Sequence, residues 1–397
     1  MFSKRVESLN ASPIRKFAPF SEAAKAAGKN VIPLNIGQPD LASPKSFYEA
    51  IIAANTEVVA YTPSDGIKEC KVAFSDYLKR NNTPIEPEDL LITNGGSEAL
   101  LFAFATICDP GDKVLAFEPF YTNYKSIARI VSAELKGIVT TAETDFAIPS
   151  YEDMAKLVDD KTKAIILTNP SNPTGHVMTR DEVERIIKLA LDHNLYIIVD
   201  EVYREFVYDG AEFIRFIDYT EVRDRIIIID SVSKRFNVCG ARIGCIATKN
   251  AEFIAHCLKM CQARLSVAYA EQKGAVALLN EEDEYTKESV ETYKRRRDVC
   301  MEYIEQLEGV SCKKPKGAFY FIVKLPIQDA DHFVGWLLSE FALGNDTIML
   351  CPAKECYSDG IRGRDEVRIS YCIDEHKLKR AMEVLQAGLK EYKSKFE

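Results

Sequence analysis

Lys234 lies among residues that could together hold an aldehyde and a phosphate. The segment SVSKRFNVCGARIG begins at Ser231 and also carries Ser233, Lys234 and Arg242. A lysine amine can form a Schiff base with a carbonyl carbon, and hydroxyl and guanidinium groups bind phosphate oxygens. The run Ile226 to Ile229, just before the segment, indicates a buried strand. The sequence therefore predicts that a strand end delivers an amine into a polar site.

Other polar residues also follow short apolar runs. Gly96 and Ser97, in the stretch NGGSE, stand between such a run and a predicted helix, where backbone N–H groups can bind phosphate. The remaining residues of this kind are Tyr121, Asn172 in the loop NPSNPTG, and Asp200 and Tyr203 in DEVY. The carboxyl ends of parallel strands form one edge of a sheet, and ligands bind there in open α/β folds. We therefore expect these side chains to share one site.

Each of these features also has an ordinary structural explanation. The glycine pair could form only a tight turn, and Asp200 could cap the next helix. Tyr121 could belong to the core, and Lys234 could be a surface lysine. The functional interpretation depends on the combination, because every feature falls on the same predicted edge.

Apolar runs alternate with helical patterns, which predicts an α/β fold with a mostly parallel sheet. Thr179 and Glu182 form a capping box before an amphipathic helix, so residues 164–199 constitute a strand–helix–strand unit. Another helix is expected at residues 99–108. The predicted strands are residues 89–93, 113–117, 164–167, 196–199, 226–229 and 244–248.

The pattern changes after about residue 290. A charged helix at 291–307, strands at 318–325 and 366–372, and a closing amphipathic helix at 378–392 predict a second unit. We expect a three-layer large domain at residues 46–288. A smaller α+β domain would combine residues 1–45 with residues 289–397.

Pyridoxal phosphate is a cofactor that uses all of these groups. Its aldehyde reacts with a lysine amine, and its protonated pyridinium nitrogen requires a carboxylate. Its ring can stack on an aromatic side chain, and its phosphate suits amides, hydroxyls and a guanidinium. Lys234, Asp200, Tyr121 and Arg242 are the corresponding candidates.

The motifs resemble those of the fold-type I pyridoxal-phosphate enzymes, and specifically the class I and II aminotransferases. SVSKRFNVCGARIG matches the lysine signature S-x-S-K-x5-G-x-R-x-G, and NPSNPTG and DEVY match two further signatures. The resemblance extends from LNIGQPD to EVRISYC, nearly the whole chain. It implies a large domain that binds the cofactor, a smaller α+β domain, and aspartate aminotransferase-like chemistry.

The resemblance implies a role for each residue of the cofactor site. Lys234 would form the Schiff base and move the substrate proton, and Asp200 would hold the pyridinium proton. Asn172 and Tyr203 would bind the phenolic oxygen, while Tyr121 and Val202 would cover the two ring faces. The implied phosphate ligands are Gly96, Ser97, Ser231, Ser233 and Arg242, with Tyr61 reaching the phosphate of the neighbouring subunit.

The resemblance also implies how substrates bind. Arg368 would hold the substrate α-carboxylate through two parallel hydrogen bonds, and Gly37 and Asn172 would contact the same carboxylate. An amino acid and a 2-oxo acid would react in turn, in a ping-pong sequence. The shared role of Tyr61 implies a homodimer.

The composition excludes several other classes of protein. The net charge of −9 argues against nucleic acid and against an anionic membrane surface as partners. Eleven cysteines without a CxxC pair indicate a reducing compartment. The sequence has neither the apolar run of a signal peptide nor a membrane span, so we expect a cytoplasmic protein. The five histidines lack metal-ligand spacing, so no metal is expected.

The sequence leaves the substrate open. One branch of aspartate aminotransferases carries a lysine where this chain has Ser97, so the cation for a distal carboxylate is not evident; Arg15 and Lys16 are the remaining candidates. Aspartate with 2-oxoglutarate is one possibility, and alanine, aromatic and branched amino acids are others. The same fold supports carbon–sulfur β-elimination and γ-elimination with ring closure. A transcriptional regulator would require an N-terminal DNA-binding domain, and fewer than about 50 residues precede the large domain.

Overall fold

The computed structural model describes residues 2–9, 12–13, 15–281 and 283–396. Its helices are α1 Lys4–Glu7, α2 Ala18–Ala26, α3 Lys45–Ala53, α4 Lys68–Arg80, α5 Gly95–Ile107, α6 Asn123–Ile130, α7 Tyr151–Ala155, α8 Arg180–Asp192, α9 Val232–Arg235, α10 Ala251–Arg264, α11 Tyr269–Leu279, α12 Glu284–Ile304, α13 Ala330–Ser339 and α14 Glu375–Phe396. Its strands are β1 Asn30–Pro33, β2 Leu90–Thr93, β3 Lys113–Glu118, β4 Glu134–Val139, β5 Thr162–Thr168, β6 Tyr196–Asp200, β7 Ile226–Ser231, β8 Gly244–Ala247, β9 Tyr320–Lys324, β10 Asp346–Met349, β11 Cys351–Pro352 and β12 Glu366–Ser370.

A seven-stranded sheet forms the centre of the fold, with the order β2-β8-β7-β6-β5-β3-β4. Neighbouring strands from β4 to β7 pair in parallel, whereas β8 runs antiparallel to both β7 and β2. The predicted α/β fold with a mostly parallel sheet is therefore confirmed. The antiparallel direction of β8 could not be deduced from its short apolar sequence.

The isoleucines of β7 explain why this sheet is buried on both faces. Ile226 and Ile228 pack in one hydrophobic core, and Ile227 and Ile229 pack in another on the opposite face. All four side chains are fully buried. Residues of α4, α8 and α11 belong to the first core, and residues of α5, α6 and α10 belong to the second. The chain thus has the three layers of an α/β fold.

Helix α5 begins earlier than the sequence indicated. The prediction placed a glycine turn before a helix at residues 99–108, but the helix already starts at Gly95. Gly95 has a φ of +74°, a conformation that favours glycine, so the glycine pair forms the first turn itself.

The predicted capping box of α8 is present. The Thr179 side chain accepts a hydrogen bond from the Glu182 backbone N–H, and the Glu182 side chain accepts one from the Thr179 backbone N–H.

A second group of elements surrounds a three-stranded antiparallel sheet with the order β11-β12-β9. Its core includes residues of α12, α13 and α14. The N-terminal part of the chain joins this group, because β1 pairs in parallel with β10 and Leu34 belongs to the same core. The domain boundaries at residues 46 and 288 stay predictions.

Strand β4 was not expected from the sequence. Its residues ELKGIV are mostly half-buried or exposed, as suits an edge strand, so they lack the continuous apolar run of β7. Strands β1, β10 and β11, each of four residues or fewer, were also missed. Within the part of the chain that the structure describes, no helix has the length and apolarity needed to cross a bilayer.

Candidate active site

One cleft at the carboxyl edge of the seven-stranded sheet collects almost all of the side chains selected from the sequence. It has a volume of about 240 Å³. The selected residues in its wall are Gly37, Gly96, Ser97, Tyr121, Asn172, Asp200, Val202, Tyr203, Ser231, Ser233, Lys234, Arg242 and Arg368. Ile36, Leu100, Cys239 and Tyr320 complete the wall. Strand ends that are far apart in the sequence therefore meet here, as the fold class requires.

Lys234 enters the cleft from the short helix α9, directly after β7. The Ser231 hydroxyl caps this helix by accepting a hydrogen bond from the Ser233 backbone N–H. The Lys234 Nζ donates to the carbonyl oxygen of Gly37 at 2.7 Å and lies 3.5 Å from the Cys239 Sγ. The amine is thus held at the cleft wall by neutral acceptors rather than by a carboxylate.

A buried cluster of charges anchors the segment that carries Lys234. The Arg235 side chain is fully buried, forms an ion pair with Asp230, and lies 3.2 Å from Glu205. Tyr77 donates a hydrogen bond to Glu205 at 2.7 Å. Because Arg235 adjoins Lys234 and Glu205 lies just beyond the β6 end, the cluster fixes two walls of the cleft against each other.

The phosphate-type donors lie together at the start of α5. The Arg242 side chain donates hydrogen bonds to the carbonyl oxygens of Asn94, at 3.2 Å, and Cys239, at 3.0 Å. Gly95 has a φ of +74°, and a Cβ atom there would lie 2.4 Å from an Arg242 nitrogen, so this position favours glycine mainly through its backbone conformation. The hydroxyls of Ser231 and Ser233 are 2.6 Å apart. A helix N-terminus beside hydroxyls and a guanidinium is suited to a phosphate.

Asp200 is buried at the end of β6. The Tyr124 hydroxyl donates to its Oδ2 at 3.0 Å, and the Val202 backbone N–H approaches its Oδ1 at 3.4 Å. Burial raises the pKa of Asp200 to about 6, although the Tyr124 hydrogen bond opposes this shift. A buried carboxylate with few partners gains strongly from a cationic group placed beside it.

The hydroxyls of Tyr203 and Tyr320 are 3.0 Å apart, and their rings meet edge to face. Burial raises the pKa of each phenol, so both hydroxyls stay protonated at neutral pH. A Cβ atom on Gly37 would lie 1.6 Å from the Tyr320 hydroxyl oxygen, which explains the need for glycine there. This pair of phenols therefore offers hydroxyl donors at one wall of the cleft.

Arg368 enters the cleft from β12, beside Tyr320. It donates to the Asn172 Oδ1 at 3.1 Å and to the Asn35 carbonyl oxygen at 2.6 Å. Its guanidinium lies over the Tyr320 ring, 4.7 Å from the centroid. The Nε is buried and has no hydrogen-bond partner among the described residues. This unpaired donor is available to an anionic ligand.

Two selections from the sequence lie outside the cleft. Tyr61 does not reach the cleft of its own chain, and its side chain is 83% exposed. Lys16 pairs with Asp331 at 2.9 Å on the surface, so it does not supply the cation for a distal carboxylate within this chain's cleft. Arg15 is exposed and is not part of the cleft wall.

Several residues of the site were missed from the sequence. Tyr124 contacts Asp200, Tyr320 contacts Tyr203, and Thr168 contacts Tyr124. Each of the three lies in an ordinary helix or strand pattern. Tyr121 precedes α6 and Tyr124 lies in its first turn, where the two rings meet edge to face, so the short spacing Tyr121-x-x-Tyr124 is the only signal that could have indicated Tyr124. Nothing in the sequence singles out Tyr320.

The residues present fit pyridoxal phosphate. The cleft combines a lysine amine, a buried carboxyl group, an aromatic side chain and a cluster of phosphate-type donors. These groups match the aldehyde, the pyridinium nitrogen, the ring and the phosphate of the cofactor in chemical type. The unpaired Nε of Arg368 adds a donor for a second anion, as a substrate carboxylate would require.

The fold and the cleft thus define the class of pyridoxal-phosphate-dependent α/β enzymes, and comparison with known proteins identifies the family. Residues 29–385 match the model of the family "Aminotransferase class I and II". The chain is 31% identical to the aspartate aminotransferase of Thermotoga maritima, over 97% of this chain and 98% of the relative. It is 30% identical to aromatic-amino-acid aminotransferase 2 of Thermococcus litoralis, with 98% and 99% covered.

A solved structure shows the same arrangement. The alanine aminotransferase of Pyrococcus furiosus superposes with a TM-score of 0.90 at 28% identity, covering 98% of this chain and 100% of that one. The chain therefore belongs to the class I and II aminotransferases. It is a transaminase, and its cofactor is pyridoxal phosphate. The alternative of a carbon–sulfur lyase is not favoured by these relatives.

Proposed function

We propose that this chain transfers an amino group from an L-amino acid to 2-oxoglutarate, with aspartate as the first donor to test. The observation that carries the proposal is the meeting of Lys234, Asp200 and Arg368 in one cleft. The amine of Lys234 can act as a base, the carboxyl group of Asp200 can bind the cofactor nitrogen, and the guanidinium of Arg368 can bind the substrate carboxylate. The relatives support the reaction type but carry different amino acids in their names.

Arg368 binds and orients the substrate. Its Nε has no hydrogen-bond partner among the described residues, and its other nitrogens contact neutral oxygens of Asn172 and Asn35, so a carboxylate is the stronger partner for the guanidinium. The Tyr320 ring below the guanidinium keeps it in place without neutralising it. A substrate carboxylate held there would be fixed in orientation relative to Lys234.

Lys234 moves the proton. When bound, pyridoxal phosphate supplies an aldehyde for the amine and a ring that accepts electrons. Among the described residues, the Lys234 Nζ donates to the Gly37 carbonyl oxygen and lies beside the Cys239 Sγ, so the amine faces the cleft without a carboxylate partner. Once released as a free amine, Lys234 would take a proton from the substrate α-carbon and return it two bonds away, at the carbon that the cofactor aldehyde supplies.

Asp200 holds the proton of the cofactor nitrogen. Its pKa of about 6 reflects the cost of burying a negative charge, and a cationic ring removes that cost. Replacing Asp200 with Ala should therefore reduce turnover by far more than it reduces cofactor binding, which the phosphate donors share. Equal turnover in the variant would place the functional carboxylate elsewhere.

The donor can be identified by half-reactions. The cationic side chains among the described residues of the cleft wall are Lys234, Arg242 and Arg368, and each already has a proposed partner. A distal carboxylate must therefore find its cation outside this wall. Purified holoenzyme should be mixed with single amino acids, and the cofactor spectrum followed. Loss of the aldehyde-form absorption with aspartate, and its return with 2-oxoglutarate, supports the proposal; failure with every amino acid contradicts it.

The same assay separates transfer from elimination. Cystathionine should give no pyruvate and ammonia in the absence of a 2-oxo acid. Rapid release of both products without an acceptor would instead indicate a β-lyase. The comparison uses one protein preparation, so cofactor loading is identical in both arms.

We also propose that the enzyme is a homodimer with shared sites. Helix α3 and the following loop expose several large apolar side chains, and a set of this kind indicates a protein interface. Its members are Tyr48, Ile52, Val58, Val59 and Tyr61. Tyr61 lies within this set, so a second copy docked there would receive its hydroxyl, in accordance with the role implied by the family resemblance.

Hybrid dimers test this arrangement. Lys234→Ala and Tyr61→Ala would each be inactive or impaired alone. In a mixed dimer with Tyr61 acting across the interface, one site carries both substitutions and the other carries neither, so activity returns. If Tyr61 acts within its own chain, each site keeps one defect and no activity returns. Sedimentation equilibrium of the wild type measures the oligomeric state directly.

A reducing compartment, the cytoplasm, is the proposed location. All eleven cysteines of the chain lie in the described residues, and all are free thiols. Most of them are buried among apolar side chains, where a thiol packs as a small hydrophobic group. Fractionation of the native cells with antibody detection tests the location.

A further inference from the structure

Tyr124 connects Asp200 to a second strand end. This tyrosine lies on α6 with its side chain 1% exposed, and its hydroxyl contacts both the Asp200 Oδ2 at 3.0 Å and the Thr168 Oγ1 at 2.5 Å. Thr168 is the last residue of β5, the strand that pairs with β6 beside Asp200. The three side chains form a continuous hydrogen-bonded chain behind the cleft.

The order of donors in this chain follows from proton counting. The Tyr124 hydroxyl has one hydrogen, and the carboxylate can only accept, so Tyr124 donates to Asp200. The Thr168 hydroxyl then donates to the Tyr124 oxygen. Each bond polarises the next and strengthens the hydrogen bond to the carboxylate.

Asp200 needs such a partner because its terminal torsion is soft. The χ2 angle of aspartate has a broad preference, so the backbone alone does not fix the plane of the carboxylate. The backbone N–H of Val202 lies 3.4 Å from Oδ1, which is a long contact. The Tyr124 hydroxyl is therefore the stronger of the two contacts that set the carboxylate plane.

We propose that Tyr124 is a positioning residue that orients Asp200 toward the cofactor nitrogen, with Thr168 fixing the Tyr124 hydroxyl. The inference rests on the proposed role of Asp200. Tyr124 also meets Tyr121 edge to face, with ring centroids 5.5 Å apart. Its hydroxyl therefore supports Asp200, and its ring supports Tyr121. Removing only the hydroxyl isolates the first of these contributions.

Loss of the hydroxyl has a defined electrostatic direction. The Tyr124 hydrogen bond lowers the pKa of Asp200 against the rise caused by burial, so its removal raises that pKa further. Asp230 and Lys234 also face Asp200, and they act in opposite directions. Neither is changed by the test. The acid limb of the pH–rate profile should therefore move to higher pH when the hydroxyl is absent.

Two matched substitutions and one control provide the experiment. Tyr124→Phe removes the hydroxyl and keeps the ring, and Thr168→Val removes the supporting donor at almost constant shape. Tyr151→Phe is the control, because Tyr151 makes the same type of bond to Asp192, at 2.7 Å, on the exposed surface. The measurements are kcat and KM, the pH titration of the bound cofactor's absorption, and the cofactor dissociation constant.

A hydrogen bond to a charged group contributes enough to change kcat by about 10- to 100-fold. We expect that loss in Tyr124→Phe, a smaller loss in Thr168→Val, and unchanged KM in both. The cofactor absorption titration should shift in Tyr124→Phe and not in Tyr151→Phe. Thr168→Ser retains the hydroxyl and should restore most of the activity lost in Thr168→Val.

The outcomes separate the inference from the proposed function. If Asp200→Ala abolishes turnover while Tyr124→Phe keeps kcat within about twofold and an unshifted titration, the positioning role is overturned and the proposed function stands. If Asp200→Ala leaves turnover unchanged, the proposed function itself fails. Equal losses in Tyr124→Phe and Tyr151→Phe would also overturn the positioning role, because the effect would not depend on Asp200.

Discussion

The burial of Asp200 predicts that the cofactor-free protein is destabilised by its own active site. In the unfolded chain an aspartate has an ordinary pKa near 3.8, whereas burial raises the pKa of Asp200 to about 6 in the folded protein. A raised pKa gives a contribution that is fully present below the unfolded value and is lost as the pH rises through the folded value. The apoenzyme therefore loses stability between about pH 4 and pH 7 through this group.

The substitution Asp200→Asn removes the titration and keeps the shape. The difference of about 2 pKa units corresponds to roughly 3 kcal/mol, at about 1.36 kcal/mol per unit. Above pH 7 the variant apoenzyme should be more stable than the wild type by up to this amount, and by about half of it at pH 5. Urea unfolding of both apoproteins, followed by circular dichroism between pH 4.5 and pH 8, measures the difference.

Asp192→Asn is the control, because the pKa of Asp192 is shifted in the opposite direction to that of Asp200. Asp192 is exposed, and its hydrogen bond with Lys188 lowers its pKa. A lowered pKa stabilises the fold above the unfolded value and ceases to do so as the pH falls, so this variant should be the less stable one at neutral pH. A gap between Asp200→Asn and wild type that does not change with pH, or a more stable wild type at pH 8, would refute the burial argument.

Three further predictions concern the substrate-binding Arg368, the hydrophobic core at β7 and the buried ion pair of Arg235. Arg368→Lys should raise KM for every amino donor in steady-state assays, because a lysine cannot make two parallel hydrogen bonds to a carboxylate; equal KM values would remove Arg368 from the substrate site. Ile228→Ala in the fully buried β7 should cost about 2–5 kcal/mol in urea unfolding, whereas Ile361→Ala at an exposed position should change it by less than about 0.5 kcal/mol. Arg235→Ala should cost about 3–5 kcal/mol, because it leaves the buried Asp230 without its cation, and an unchanged denaturation midpoint would contradict that account.

The sequence predicted the central sheet well because its signals are local. The run Ile226 to Ile229 indicates a strand covered on both sides without any knowledge of its neighbours, and the structure confirms it. The capping box of α8 depends on two residues three positions apart, and it is also present. Edge strand β4 was missed because half-exposed residues carry no such signal.

The candidate site divides along the same line. Residues at strand ends, such as Lys234 and Asp200, could be selected because the fold class itself brings strand ends together. Tyr320 and Thr168 could not be selected, because their contacts depend on the relative placement of distant elements. The proposed role of Tyr61 in the site of a second subunit stays a prediction, because it depends on a contact between two chains.

Locating the covalent link between the coenzyme and the protein tests most directly whether Lys234 is the residue that binds pyridoxal phosphate. Purified holoenzyme should be yellow, and borohydride reduction followed by peptide mass spectrometry should find the pyridoxyl group on Lys234 alone. The attachment of the group to a different lysine, or a colourless preparation that does not bind pyridoxal phosphate, would contradict it.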